Sequence, residues 1–174
     1  KMMHGKPMIS HMLDRLKQSS LLDQIIICTS SDPQDDPLVE IAETEGVSCY
    51  RGEADDVVGR LLGAALEFDV DYVINITADC PFVDPHYIDL IIDSYKTTNG
   101  DLIRSWDLPH GAFSYGIKTE ALKKVANLKN SNDTEVWYQY FTDTGLFNVI
   151  DLDIKNTFHK RPGLRITLDY PEDW

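Results

Sequence analysis

Short apolar segments alternate with longer amphipathic segments along the first half of this chain, and this alternation limits the folds open to it. Residues 24–29, 47–50 and 72–76 are apolar or β-branched runs of strand length. Between them, apolar residues recur at the spacing of one helix face. Strands that alternate with helices of about 10–15 residues form crossover units, so the sequence predicts an α/β domain with a mainly parallel sheet.

Residues that begin or end helices mark the boundaries of the amphipathic segments. Pro7 suits a first helical turn, because the N–H that proline lacks has no helical partner there. Gly46 follows the second amphipathic segment, as expected for a residue that closes a helix in the left-handed conformation. Helices are therefore predicted at residues 7–18, 36–46, 55–68 and 85–95.

The second half of the chain is less regular and predicts mixed or antiparallel strands. Strands are expected at residues 101–104, 113–118, 147–152 and 164–168, and helices at 119–128 and 133–142. No linker rich in proline, glycine or serine divides the chain, so residues 1–174 are expected to form a single domain. The last residue, Trp174, lies in what resembles the first turn of a further helix.

Charge and composition exclude several classes of function. The chain has 16 basic and 29 acidic residues, a net charge of −13, whereas proteins that bind nucleic acid carry clustered basic residues. Its apolar runs are too short to span a bilayer, so neither nucleic acid nor a membrane is an expected partner. Three widely separated cysteines form no CxxC pair, which indicates reduced thiols and a cytoplasmic location.

Polar loops follow three of the predicted strands, at residues 29–32, 77–81 and 168–171. In open parallel sheets, ligands bind beyond the carboxyl ends of the strands. Asp79 and Asp169 each come directly after a predicted strand. Two converging carboxylates can hold Mg²⁺ together with water and substrate phosphates. The alternative is that both aspartates only cap turns or helix starts.

Other chemically active side chains give weaker indications. Arg60 lies in a predicted helix, where it either contacts a phosphate or remains an exposed charge. Cys80 is interpreted as a small buried residue rather than a nucleophile, because no histidine partner is indicated. The histidines lack the paired spacing of a zinc site, and the chain has neither a P-loop nor a dinucleotide-binding glycine motif. The aromatic residues of the second half indicate core, with a sugar pocket or a dimer interface as alternatives.

Five short motifs occur in a fixed order along the chain. They are GKPM at residues 5–8, IICTS at 26–30, RGEADDVVGR at 51–60, ITADCP at 76–81 and RITLDYPED at 165–173. Together they resemble the cytidylyltransferase family of sugar-nucleotide synthetases. The branch that they resemble includes spore-coat polysaccharide cytidylyltransferase-like proteins, and the octulosonate and acylneuraminate cytidylyltransferases are more distant relatives.

This resemblance implies a fold and a reaction. The fold is a three-layer α/β/α nucleotidyltransferase, similar to the nucleotide-diphospho-sugar transferases. In the implied Mg²⁺-dependent reaction, a hydroxyl of a sugar or sugar acid attacks the α-phosphate of CTP and pyrophosphate leaves, which activates the sugar for surface polysaccharide biosynthesis. A homodimer is compatible with the family.

The resemblance also implies roles for particular residues. Asp79 and Asp169 match the catalytic carboxylates that hold the metal. Thr77 and Arg60 match positions near the nucleotide, and Ser30 in the loop after the first predicted strand is expected there as well. Arg165 matches a position that contacts the second substrate.

One part of the family pattern is not found in this sequence. In the family, a first strand and a glycine-rich basic loop for the triphosphate precede the position of Gly5, and only residues 1–4 stand before it here. The resemblance therefore predicts a domain without that strand and loop, cut at its C-terminal helix. Two further functions stay open: a nucleotide-sugar glycosyltransferase on the same fold, and a non-catalytic binding subunit. Fold alone does not choose among them.

Overall fold

The structure, a computed structural model, describes residues 1–173 and places strands and helices in an order close to the predicted one. The strands are β1 (Met2–Met3), β2 (Lys6–Pro7), β3 (Ile26–Ser30), β4 (Ser48–Gly52), β5 (Tyr72–Asn75), β6 (Leu102–Arg104), β7 (Tyr115–Lys118) and β8 (Val149–Asp151). The helices are α1 (Met8–Leu16), α2 (Asp36–Glu45), α3 (Val57–Glu67), α4 (Pro85–Thr98), α5 (Thr119–Leu128) and α6 (Gln139–Thr142). Single 3₁₀ turns cover Pro33–Asp35 and Pro171–Asp173. The further helix expected at Trp174 lies outside the described residues.

The unit from β3 through α2 to β4 is a parallel crossover, as the sequence predicts. Pro37 lies in the first turn of α2, where its missing N–H costs nothing. Gly46 follows the last turn with a φ of 66°, a left-handed conformation that glycine adopts without a steric penalty. The chain then returns, and β4 pairs with β3 in parallel.

The second sheet has four strands in the order β5-β7-β6-β8. Strand β7 is antiparallel to both of its neighbours, and β8 runs parallel to β6. The prediction of mixed or antiparallel strands in the second half is therefore confirmed.

Helices pack on both faces of the sheets. Along β5, Val73 belongs to one apolar cluster and Ile74 to another, because successive side chains of a strand point to opposite faces. The first cluster joins α3 and α5 to β6 and β7, and the second joins α1, α2 and α4 to β3. This places helices in a layer on each side of the strands. No helix within residues 1–173 is long and apolar enough to cross a membrane.

A cavity separates the two sheets. In the described part of the chain, β3 and β5 share no ladder of hydrogen bonds. They border a cavity of about 660 Å³, which is also lined by residues of α1 and α3. A hydrogen bond of 3.3 Å from Gln24 Nε2 to the carbonyl oxygen of Phe68 links the starts of the two strands.

The helix predicted at residues 133–142 is wrong in its first half, because α6 covers only Gln139–Thr142. Thr134 is used differently. Its hydroxyl accepts the Val58 N–H at 3.0 Å and donates to the Asp56 carboxylate at 3.1 Å. This buried hydroxyl satisfies one of the N–H groups that the start of α3 leaves without a helical partner. A tertiary contact therefore overrides the local helical pattern.

The strand predicted at residues 164–168 is wrong as a regular strand. The segment meets its neighbour through one isolated bridge between His110 and Arg165. The His110 N–H donates to the Leu164 carbonyl and the Ile166 N–H donates to the His110 carbonyl, both at 2.8 Å. The segment is held at this point by two hydrogen bonds and does not extend into a ladder.

An ion pair at the start of α3 makes the stability of the folded chain depend on pH. Asp56 accepts from the Gly59 N–H and contacts the Lys129 ammonium, and the two charged side chains are 14% and 13% exposed. Burial raises the pKa of Asp56, but the hydrogen bonds from Lys129 and Gly59 outweigh burial and lower this pKa overall. The charged form of Asp56 therefore stabilises the folded chain.

We expect Asp56→Asn to reduce the free energy of unfolding by roughly 1–3 kcal/mol at neutral pH. Asparagine still caps a helix, so the change isolates the charge. Because the folded-state pKa is lowered, the stabilisation is present above the unfolded value of about 3.9 and is lost as the pH falls through the folded value. Urea unfolding of both proteins from about pH 7 to about pH 2.5 measures the difference. A difference that does not narrow below about pH 4 would contradict this assignment.

Candidate functional site

Two segments of the chain meet at the carboxyl end of β5: the turn that follows this strand and the extended segment that precedes the last 3₁₀ turn. The Leu168 N–H donates to the carbonyl oxygen of Asp79 at 2.9 Å, which joins the segments. This backbone hydrogen bond brings Asp79 next to Asp169, the residue that follows Leu168, and the Asp79 side chain is among the causes that lower the pKa of Asp169. The structure therefore brings together the two aspartates that the sequence predicts as a metal-holding pair.

Several donors hold Asp169 as a carboxylate. Thr167 Oγ1 donates to it at 2.7 Å and the Arg165 guanidinium at 2.9 Å. The pKa of Asp169 is lowered by the Thr167 hydrogen bond first, and then by the contact with Asp79 and the charge of Arg165. Thr167 is itself buried. Asp169 is therefore ionised and oriented by the folded chain alone.

Sequence reasoning missed Asp173, which fixes the last turn of this site. Its carboxylate accepts the N–H groups of Asp169 and Tyr170, both at 2.9 Å, and forms an ion pair with Arg165. The hydrogen bond from Arg165 is the largest of the causes that lower the pKa of Asp173 to about 2. The spacing in the sequence could have indicated this role. Asp173 follows Asp169 by about one helical turn, so the two residues can lie on the same side of a helical segment.

Asp79 and Asp169 supply oxygen donors that suit a hard divalent cation. Mg²⁺ is usually held by one or two carboxylates, with water and substrate phosphates in its other positions. Within residues 1–173, no group of three or more His, Cys, Asp or Glu side chains could hold a metal ion. Asp79 and Asp169 match the one or two carboxylates by which Mg²⁺ is usually held.

Gly111 lets the turn at His110 approach the segment that carries Thr167. Its φ is +105°, a backbone conformation that residues with a side chain rarely adopt. A Cβ at this position would lie 2.9 Å from the Ile166 carbonyl carbon and from the Thr167 nitrogen. The backbone that carries Thr167 therefore packs directly on Gly111. Since Thr167 orients Asp169, this glycine supports the geometry of the site although it carries no functional group.

Thr77 and Arg60 line the cavity between β3 and β5. Thr77 comes two residues after the end of β5. Thr77 is exposed two residues before Asp79, and Arg60 lines the same cavity from α3. The Arg60 guanidinium donates to the carbonyl oxygens of Glu53 and Ala54. Its charge therefore already has partners within the chain. The nucleotide-binding roles of both residues stay predictions.

Ser30 is buried at the end of β3 and takes part in the structure of the loop that follows. Its hydroxyl and its N–H both donate to the Asp35 carboxylate, and the Ser30 hydrogen bond is the largest cause of the lowered pKa of Asp35. Arg51 Nε donates to the Ser30 carbonyl at 2.9 Å. A nucleotide contact by Ser30 stays a prediction, and its hydroxyl would have to rotate away from Asp35 to donate to a phosphate.

Cys80 is 5% exposed. Burial is the largest of the causes that raise the pKa of its thiol to about 12. A thiol that stays protonated at neutral pH is a poor nucleophile. Its packing agrees with the interpretation of Cys80 as a small buried residue.

The aromatic residues of the second half divide into two groups. Trp137 and Phe141 are buried in the cluster formed with α3 and α5, which confirms the core interpretation for these two. Trp106 is 39% exposed, makes an edge contact with Tyr115, and carries the Arg104 guanidinium 4.2 Å from its ring centroid. A role of this outer group in sugar binding or dimer contact stays a prediction.

We expect Gly111→Ala to destabilise the chain by roughly 1–3 kcal/mol, because the backbone would be strained and the new Cβ would collide with Thr167. The same change should weaken divalent-cation binding, since Thr167 orients Asp169. Thermal unfolding and calorimetric titration with Mg²⁺ measure the two effects. Gly145→Ala is a matched control, because Gly145 also has a positive φ of 68° but open space around its Cβ position. Equal losses in both variants would contradict a specific contact at Gly111.

Comparisons with known proteins show which family this chain belongs to. A sequence model of the family described as Cytidylyltransferase matches residues 1–160. A protein of Methanocaldococcus jannaschii of uncharacterized function is 30% identical over 165 residues, which cover 94% of this chain and 68% of that protein. The spore coat polysaccharide biosynthesis protein SpsF of Bacillus subtilis is 24% identical over 170 residues, which cover 94% of this chain and 70% of SpsF.

A solved structure agrees with the sequence matches. A cytidylyltransferase from Leptospira borgpetersenii is similar to this chain with a TM-score of 0.84 and 26% identity, covering 95% of this chain and 71% of that one. This similarity confirms the predicted α/β nucleotidyltransferase fold. The family match extends over most of the sequence, so this chain belongs to the cytidylyltransferase family.

Proposed function

We propose that this protein transfers a cytidylyl group from CTP to a hydroxyl of a sugar or sugar acid. The oxygen of that hydroxyl forms a bond to the α-phosphorus, the bond from the α-phosphorus to the bridging oxygen breaks, and pyrophosphate leaves. The hydroxyl proton passes to solvent or to a nearby base. The observation that carries the proposal is the hydrogen bond from the Leu168 N–H to the Asp79 carbonyl, which brings Asp79 and Asp169 together beyond the carboxyl end of β5.

Asp79 and Asp169 are the residues that would hold Mg²⁺ in this reaction. When bound, such an ion neutralises charge that develops on the phosphoryl oxygens. Thr167 and Arg165 keep Asp169 ionised and oriented. Arg165 acts mainly as a positioning residue in this arrangement, because its guanidinium pairs with Asp169 and Asp173. The contact with the second substrate remains part of its proposed role.

Thr77 and Arg60 are proposed to contact the nucleotide from the cavity side. Both line the cavity between β3 and β5, whose lining reaches Ala78, the residue before Asp79. The Arg60 guanidinium binds two carbonyl oxygens, and a guanidinium has further donors that can serve a phosphate. Ser30 would add a hydroxyl at the end of β3. In this proposal, Thr77, Arg60 and Ser30 would contact a nucleotide bound next to Asp79.

The proposed cellular role is based on the names of the relatives. SpsF is named for spore coat polysaccharide biosynthesis, and we extend surface polysaccharide biosynthesis to this chain as the proposed pathway. A cytoplasmic location is part of the proposal, and the free thiols of Cys28, Cys49 and Cys80 support it, since disulfides are rare in that compartment. A homodimer is proposed from the family resemblance, and sedimentation of the full-length protein tests it.

The test is pyrophosphate release by the full-length protein from CTP in the presence of candidate sugars and sugar acids, with and without Mg²⁺. We expect Asp79→Asn to lower the rate by roughly 100-fold or more, which corresponds to about 2.7 kcal/mol of transition-state stabilisation. In the wild type, CTP and Mg²⁺ together at about 100 times the Kd should stabilise the fold by about 2.7 kcal/mol. Thermal unfolding with CTP, UTP, GTP and ATP, with and without EDTA, measures this stabilisation.

Asp84→Asn is the matched control, because Asp84 undergoes the same chemical change but caps α4 through the His86 N–H. Asparagine caps helices as well, so this variant should keep its activity. Hydrolysis of a nucleotide-sugar donor without pyrophosphate release would replace the proposal with a glycosyltransferase. The absence of stabilisation by any nucleotide would favour a non-catalytic binding subunit instead.

A further inference from the structure

We propose that Asp151 and Trp106 select the second substrate of the proposed reaction, and that this acceptor is an uncharged sugar rather than a sugar acid. This assignment rests on the proposed function, because it names the class of acceptor for the same transfer. Its basis is a row of side chains that crosses the four-stranded sheet at the end where β5 leads into the turn of Asp79.

Polar residues occupy the last row of side chains on one face of this sheet. The register places opposite one another, in order across the sheet, Asn75, Tyr115, Arg104 and Asp151. Residues directly opposite each other share a face. Two residues further into the strands, the same face carries apolar side chains of the cluster formed with α3 and α5, namely Val73, Ile117, Leu102 and Val149. The face therefore changes from core to a polar surface at its last row, which we call the polar row.

The polar row borders the candidate site. Burial raises the pKa of Tyr115, and the nearby groups that affect this pKa include Cys80, the residue after Asp79. The Phe113 ring lies 5.5 Å from the Tyr115 ring and stacks on His110 at 5.3 Å. The backbone of His110 forms the bridge to the segment that carries the second aspartate. A molecule bound over the polar row would therefore lie beside both segments that meet at the site.

Arg104 and Asp151 form a bidentate ion pair within the polar row. Arg104 Nε donates to one carboxylate oxygen at 2.8 Å and Nη2 donates to the other at 3.0 Å. The Arg104 side chain is 14% exposed and the Asp151 side chain is 67% exposed, so the carboxylate is the partner that faces solvent. A carboxylate has about four positions that accept hydrogen bonds. The pair therefore offers acceptor positions to sugar hydroxyls and carries no net charge.

This ion pair disfavours an acceptor that has its own carboxylate. Such a carboxylate would share the Arg104 guanidinium with Asp151, and like charges brought together in a site reduce affinity. Arg165 is already paired with Asp169 and Asp173. An uncharged sugar avoids this repulsion, because its hydroxyls can donate to Asp151 and accept from the remaining donors of Arg104.

Trp106 supplies an apolar surface next to the polar row. Its ring is 39% exposed and makes edge contacts with Tyr115 and Tyr138, at centroid distances of 6.4 and 5.6 Å. The Arg104 guanidinium lies 4.2 Å from its centroid. Small-molecule sites combine aromatic side chains with a few placed polar groups. A sugar ring has apolar C–H faces as well as hydroxyls, so it matches Trp106 and the polar row together.

The experiment measures pyrophosphate release by the full-length protein from CTP and Mg²⁺ with acceptors matched in shape but not in charge. The pairs are glucose with glucuronic acid and galactose with galacturonic acid, and octulosonate and acylneuraminate are further sugar acids. We expect kcat/KM to be highest for an uncharged sugar and roughly 10-fold or more lower for its acid partner. A sugar acid as the best acceptor would overturn the proposal and leave cytidylyl transfer standing.

Asp151→Asn removes the charge and keeps the shape of the side chain. We expect the KM for the uncharged sugar to rise roughly 10-fold and its advantage over the acid partner to shrink, because Arg104 then keeps an unbalanced charge. The KM for CTP should stay unchanged, which separates selection of the acceptor from a general structural loss. Asp153→Asn is the matched control, since Asp153 is 63% exposed and pairs with Lys155 outside the polar row. Equal changes in both variants, or an unchanged preference in Asp151→Asn, would refute the role of Asp151.

Binding without turnover is measured by saturation-transfer NMR with the same sugars, CMP and Mg²⁺. We expect signal transfer to an uncharged sugar and roughly 10-fold weaker binding to Trp106→Ala. Phe158→Ala is the control, because Phe158 is also an exposed aromatic residue beside a guanidinium but lies outside the polar row. Equal binding to Trp106→Ala and the wild type, or no transfer to any uncharged sugar, would overturn the proposal. If uncharged sugars bind through Trp106 but no acceptor gives pyrophosphate, the proposed reaction fails and the sugar-binding surface stands.

Discussion

Strand β5 organises this molecule, because backbone pairing and side-chain alternation converge on it. One edge pairs with β7 and anchors the four-stranded sheet, while its other edge faces the cavity. Val73 packs into one helical layer and Ile74 into the other. The strand ends where the chain turns to present Asp79. A strand fixed on both faces and along one edge can hold a carboxylate in place, which is what a site built on a shared cation requires.

The electrostatics of the site explain how an acidic chain can bind an anionic nucleotide. Asp79 and Asp169 bring two carboxyl groups to the same place, and Thr167 and Arg165 keep Asp169 ionised. A divalent cation held between these carboxyl groups and a phosphate would attract both. The net charge of −13 then affects the solubility of the chain and its association with partners away from the site. In the proposed function, the cation rather than a basic surface brings the nucleotide to the chain.

Most of the helices and strands could be predicted because their signals are local. The helix at residues 119–128 and the closure of α2 by Gly46 follow from periodicity and from the freedom of glycine. The errors share one cause. Residues 133–138 carry a helical pattern, but the Thr134 hydroxyl is used by the start of α3. Residues 164–168 carry a strand pattern, but they meet the turn at His110 through an isolated bridge and form no ladder. In both places a contact distant in sequence decides the backbone.

The sequence by itself determined the α/β class, the crossover from β3 to β4 and the identity of the two candidate aspartates, since each depends on short-range spacing or on an ordered set of motifs. The mainly parallel sheet that it predicted is mixed within residues 1–173, where three of the five strand pairings are antiparallel. Only the tertiary structure decided that Asp79 and Asp169 come together, that Asp173 and Gly111 support Asp169, and that β3 and β5 face each other across a cavity. The physical reason is that these hydrogen bonds and close contacts join segments that are far apart in sequence. Local propensity does not determine which distant segments meet in the folded chain.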